Sequence, residues 1–99
     1  MSYRVLLGPN ARRDRDRIVA YYDNPEILQG DRFLDDFYQA ARQIEERPHI
    51  GRPVEDGVRR WHLGVFPCQL WYRVSDDLRI VRIIAVVGDA QDRTQFEGR

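Results

Sequence analysis

Residues 58–74 read VRRWHLGVFPCQLWYRV, and this stretch decides the fold. Two aromatic-rich segments with period-two alternation flank the breakers Gly64 and Pro67, the pattern of an antiparallel hairpin. The stretch also holds both tryptophans, one of the two histidines and the only cysteine. Alternation puts Gln69, Trp71 and Arg73 on one side of the second segment, and Cys68, Leu70, Tyr72 and Val74 on the other. In the first segment Arg60 and His62 share a side, opposite Arg59, Trp61 and Leu63. Any site is therefore expected to include or adjoin this hairpin.

Downstream, the Ser75-Asp76-Asp77 turn introduces a last strand, Leu78 to Val87, the most apolar part of the chain. Its odd positions Val81, Ile83, Ala85 and Val87 predict a continuous apolar face. Its even positions Ile80, Ile84 and Val86 are interrupted by Arg82. A strand apolar on both sides belongs inside its sheet. Residues 88–99 form a polar tail with Phe96 as its one candidate anchor.

Upstream, Tyr3 to Leu7 reads as a strand with Tyr3, Val5 and Leu7 on one face, stopped by Gly8-Pro9. Asn10 is expected to cap a helix over Ala11 to Tyr22. The charge run Arg12 to Arg17 reads as a solvated face, supported by pairs such as Arg12 with Asp16 and Asp14 with Arg17. Ala11, Ile18 and Tyr21 or Tyr22 mark its buried stripe. Asn24-Pro25 restarts the pattern as a second helix, Pro25 to about Arg47. There Ile27, Gly30, Phe33, Leu34, Phe37, Ala40, Ala41 and Ile44 form an amphipathic stripe. At about 1.5 Å per residue this helix would exceed 30 Å, and Gly30 suggests close packing against the first helix. Pro48 ends it, and His49 to Pro53 is a loop. The expected fold class is α+β, one domain over residues 1–99: an N-terminal strand, an antiparallel helical hairpin, then a three-stranded antiparallel meander completing one twisted sheet.

Sixteen basic and sixteen acidic residues cancel, yet every basic residue is arginine. A lysine base is thereby excluded, while arginine's planar fork suits phosphates and carboxylates. Neutral overall charge argues against non-specific nucleic-acid binding. The lone Cys68 rules out an internal disulfide, fits a reducing cytoplasm and is expected as a small buried hydrophobe. No apolar run is long enough for a signal peptide or a membrane span, so a cytoplasmic protein without a membrane partner is expected. Ser2 and Ser75 lack a nucleophile-elbow context, and two histidines without ligand spacing make no metal site. No glycine-rich phosphate loop occurs, and no cofactor is expected. What remains is polar: Arg4, Arg60, His62, Arg73 and Arg82, on one face, would bind phosphate or a partner's carboxylates. The competing reading is a partly exposed sheet whose arginines pair with nearby acids.

This order of elements resembles the RelE/ParE superfamily of type II toxin-antitoxin toxins, the plasmid stabilisation proteins. The resemblance covers Tyr3-Arg4-Val5, Pro9 and Ala11, Asn24-Pro25, Arg32-Phe33-Leu34, the loop Pro48-His49-Ile50-Gly51-Arg52-Pro53, and Arg59-Arg60 through Leu70-Trp71-Tyr72-Arg73-Val74. It implies a small antitoxin as partner, in a toxin-antitoxin hetero-oligomer, and one of two activities. RelE-type members cleave messenger RNA on the ribosome without a metal; ParE-type members inhibit DNA gyrase and are not nucleases. Arg60 and His62 stand where the ribonucleases place basic residues, and Arg73 completes the catalytic set such an activity would use, with Glu55 as a base. Gln69, however, replaces a phosphate-stabilising arginine, and Gly88 and Ala90 replace a histidine and a second arginine. Losing one preorganised donor to a phosphorane-like transition state costs about 3–4 kcal/mol. The ParE-like, non-enzymatic activity is therefore the expectation, with a RelE-like endoribonuclease, or a diverged toxin with a different target or lost activity, as the alternatives. Arg59, Arg60, Trp61, Trp71, Arg73 and Arg82 are the candidate antitoxin- or target-binding residues.

Overall fold

The computed structural model describes residues 2–89. The chain runs β1 (Arg4–Leu7), α1 (Pro9–Tyr22), α2 (Gly30–Glu46), β2 (Arg52–Pro53), β3 (Val58–His62), β4 (Cys68–Ser75) and β5 (Ile80–Gly88). All five strands form one sheet in the order β1-β5-β4-β3-β2. The expected meander is β3-β4-β5, and β1 joins it in parallel beside β5. A parallel neighbour requires a long connection; here the two helices carry the chain from β1 to the far edge of the sheet, and β2, β3 and β4 lead back to β5. The two-residue β2 is an addition to the expected plan, pairing Arg52 with Arg60 and Pro53 with Arg59.

Helix boundaries differ from expectation at both starts. Gly8 precedes α1, with Pro9 in its first turn, so proline's fixed φ opens the helix and Asn10 already lies inside it. Residues 25–28 are not helical. The Asn24 amide donates to the Tyr21 carbonyl while its Oδ1 accepts the Glu26 N–H, both at 2.9 Å. Leu28 then takes a left-handed φ of 54°. The 17 residues of α2 span about 25 Å, shorter than expected. Its close approach to α1 is real: a Cβ at Gly30 would lie 2.1 Å from Asp23 Oδ1.

The helices cover one side of the sheet. Phe33, Phe37, Ala40 and Ile44 of α2 are buried against Leu70, Tyr72, Val81 and Ile83. Tyr22, Phe33 and Phe66 pack ring to ring, with centroids 4.8–5.7 Å apart. The β3–β4 loop is held there a second time. Asp36 on α2 accepts the backbone N–H groups of Gly64, Val65 and Phe66 at 3.2, 2.9 and 2.7 Å. Cys68 is buried, as expected, and burial pushes its thiol up to about 11.

Two sequence expectations fail for identifiable reasons. The odd positions of β5 do not share a face, because a bulge lets Trp71 face Ala85 while Tyr72 faces Ile83. The extra residue reverses the pleat. Val81, Ile83 and Val86 therefore point to the helices, and Ala85 and Val87 to the other side. The charge run of α1 is not wholly solvated either. Asp14 is 2% exposed, accepts the Val86 N–H at 3.0 Å and pairs with Arg17 at 3.3 Å. β1 pairs with β5 only as far as Ile83, so Asp14 satisfies a backbone donor that no strand reaches. Asp16 pairs with Arg15 instead of Arg12. Ala90 and Phe96 lie outside the described residues.

Candidate functional site

The side of the sheet away from the helices carries the polar chemistry. Pairing places Arg60 opposite Trp71, His62 opposite Gln69, and Val58 opposite Arg73. Across the next ladder Arg73 faces Arg82 and Gln69 faces Val87. Arg4 is on the same side, because Val5 and Leu7 point into the helix-side core. The expected cluster of Arg4, Arg60, His62, Arg73 and Arg82 is thus assembled on one face. At its centre Val58, Trp71, Ala85 and Val87 form a small apolar cluster, Trp71 only 2% exposed.

The six candidate binding residues divide between the two sides. Arg60, Trp71, Arg73 and Arg82 are on the open side. Trp61 and Arg59 are on the other, and both serve structural ends there. Trp61 donates its indole N–H to Gln43 on α2 at 2.8 Å. Arg59 donates to the carbonyls of Gly51 at 2.8 Å and His49 at 3.3 Å. The loop these carbonyls belong to is also gripped by Tyr72, whose hydroxyl donates to the Pro48 carbonyl at 2.8 Å and accepts the Gly51 N–H at 2.9 Å. A Cβ at Gly51 would sit 2.5 Å from that hydroxyl, which accounts for glycine in the Pro-x-x-Gly-Arg-Pro loop. Arg73 is anchored in its turn, donating to the Asp56 carbonyl.

Two further groups were not foreseen. The first is Asp89, one residue past β5. Its carboxylate lies 3.4 Å from the Gln69 amide nitrogen and 3.4 Å from His62 Nδ1. Position 69, for which the RelE-type resemblance implies an arginine, therefore holds a neutral amide backed by a carboxylate. Glu55 lies in the β2–β3 turn, on a small cavity shared with His49, Arg59 and Val74. The second group is a clasp at the sheet's end. Asp76 Oδ1 accepts the Tyr3 hydroxyl at 2.6 Å and lies 3.0 Å from His49 Nε2. The Tyr3 hydrogen bond, then that of His49, holds the Asp76 carboxyl below its ordinary value, and Asp76 raises the Tyr3 phenol. Both Asp76 and Asp89 occupy turns, where acidic residues also serve turn geometry, and no periodicity marks them out. Among the described residues no three metal-ligating side chains come together, and no helix is long and apolar enough to cross a membrane.

Residues 5–93 match the family described as ParE toxin of type II toxin-antitoxin system, parDE. The chain belongs to this family. Among solved structures, the fold is shared with the chromosomal ParDE system of P. aeruginosa, at 20% identity and a TM-score of 0.74, covering 87% of this chain and 95% of that one. The RelBE2 toxin-antitoxin complex of Mycobacterium tuberculosis matches at 25% identity and a TM-score of 0.63, over 89% of this chain and 99% of that one. The isolated E. coli RelE toxin matches at 14% identity and a TM-score of 0.64, over 97% and 94%. A search of curated sequences finds no match. The chain is a ParE-like toxin of a type II toxin-antitoxin system, with the two-helix, five-strand architecture of the RelE/ParE fold.

Proposed function

We propose that this ParE-like toxin acts by binding and not by cutting RNA: it inhibits DNA gyrase in the cytoplasm, and a cognate antitoxin neutralises it. The observation that carries the reading is the Gln69–Asp89 contact at 3.4 Å. A ribonuclease needs fixed positive charge where negative charge develops on phosphorus, and here the side chains facing that place are an amide and a carboxylate. The family match supports the toxin role, and the ParDE system and the RelBE2 complex among its structural relatives support an antitoxin partner.

A second reading rests on Arg60, His62 and Arg73, which do share the open face. It makes the protein a ribosome-dependent endoribonuclease. Purified toxin is added in parallel to a gyrase supercoiling reaction and to a translating extract. The expected result is loss of supercoiling with intact messenger RNA. Untouched supercoiling at high toxin excess, together with cleaved message and loss of cleavage in Arg73→Ala, would replace the first reading with the second.

A further inference from the structure

The outer edge of β3 is only half covered. β2 pairs with Arg59 and Arg60 and no further, while β3 continues through Trp61 to His62. The Leu63 N–H bonds the Cys68 carbonyl, and the Val58 carbonyl accepts the Val54 N–H on the other side. By alternation the backbone groups of Arg60 and His62 point away from β4. Those of Arg60 meet β2. Those of His62 face an edge that no described strand occupies.

A cavity opens at this edge, lined by Ile50, Arg52, Arg60, Trp61 and His62. Arg52 and Arg60 are direct cross-strand partners, so two like charges share one face at a spacing that is unfavourable unless an anion joins them. Neither is in an ion pair among the described residues. The acid near the edge, Asp89, engages His62 and leaves the two arginines uncompensated. On the other side of the edge Ile50 and Trp61 form an apolar wall, the indole held by Gln43.

We infer that this edge is a docking site for an extended, acidic segment of a protein partner, which adds a strand alongside His62 and places a carboxylate between Arg52 and Arg60. Main-chain pairing supplies registration, and pockets for alternate side chains supply selectivity. A glutamate opposite His62 lies about 7 Å along the strand from Arg60, within reach of its side chain. The next residue turns its aliphatic side chain onto Ile50 and Trp61. A phosphodiester chain fits less well, because it offers no strand donors to the His62 carbonyl and would bring repeated negative charge against Asp89. The inference is independent of which target the toxin attacks.

The test is a titration of the ¹⁵N-labelled full-length chain with a capped Val-Glu-Val-Glu-Val peptide, followed by amide shifts. Expected are shifts centred on Arg60, Trp61 and His62, weakened at least tenfold in Arg52→Glu/Arg60→Glu and in the Val-Lys-Val-Lys-Val control. Arg52 is exposed and Arg60 half-buried, and the variant's spectrum reports directly that it stays folded. A peptide N-methylated at alternate residues is expected to lose binding. Equal affinity for the lysine peptide, undiminished binding of the N-methylated one, or shifts centred elsewhere would overturn the inference. Tighter binding of a short oligouridylate at the same amides would also overturn it, assigning the edge to nucleic acid.

Discussion

The two tryptophans of the central hairpin lie on opposite sides of the sheet and have opposite surroundings. Trp61 faces α2, where its indole is tied to Gln43 among apolar side chains. Trp71 faces away from the helices, yet is the better buried of the two, within a small cluster flanked by Arg60, Arg73 and Arg82. One pleat thus separates a face that holds the fold from a face that holds charge. Core packing and surface charge are carried by alternate residues of the same strands, so substitutions should separate their effects.

The strongest attempt to break that division compares Phe37→Ala with Arg82→Ala. Phe37 has no accessible surface and packs against Phe33 in the helix-side core. Its truncation is expected to cost about 3–5 kcal/mol in chemical denaturation. Arg82 is exposed on the opposite pleat, and its truncation should change stability by no more than about 0.5 kcal/mol. Comparable losses for both would mean that the open face also carries the fold.

A smaller effect is expected at Tyr72, which belongs to the helix side by burial but holds the loop between α2 and β2 by its hydroxyl. Tyr72→Phe keeps the ring and strands the Gly51 N–H and the Pro48 carbonyl. The expected loss is about 1–3 kcal/mol, accompanied by faster amide exchange at Gly51. An unchanged exchange rate would show that Arg59 alone secures the loop.

How much of this was legible in the sequence depends on whether a residue's role follows from periodicity. The hairpin's two faces were readable because alternation is strict through β3 and β4, which placed Arg60, His62, Gln69, Trp71 and Arg73 together. β5 defeated the same rule, since one extra residue in it, Ile84 opposite Trp71/Tyr72, exchanges the sides of Ala85, Val86 and Val87, and no composition signal marks a bulge. Asp14 was hidden in a charge run, where only the depth of α1 against β5 distinguishes a buried carboxylate from a solvated one. Asp89 carries no sequence signal of this kind, because its proximity to Gln69 and His62 follows from strand register and not from spacing. The Pro-x-x-Gly-Arg-Pro loop was legible as a motif. Its reason, the Tyr72 hydroxyl beneath Gly51, needed coordinates.

The finest distinction concerns the clasp of Tyr3, Asp76 and His49, which joins β1, the β4–β5 turn and the loop before β2 at the sheet's end. Asp76 titrates below its ordinary value of 3.8 when folded, chiefly because the Tyr3 hydroxyl and then His49 favour its charged form. A depressed folded value means that the unfolded chain takes up the proton first. The stabilisation is therefore complete above about pH 5 and is lost as pH falls through 3.8 toward the lower folded value. The group is exposed, so the effect is expected to be the smallest of these and to weaken with salt. It is read as the difference in stability between the native chain and Asp76→Asn, measured from pH 7 down to pH 3. The difference should be level near neutrality and shrink in the acid range, while Arg82→Ala shows no such dependence. If Asp76→Asn tracks the native chain at every pH, the clasp contributes nothing to stability, and the division between the two faces of the sheet needs no third, acid-sensitive element at its end.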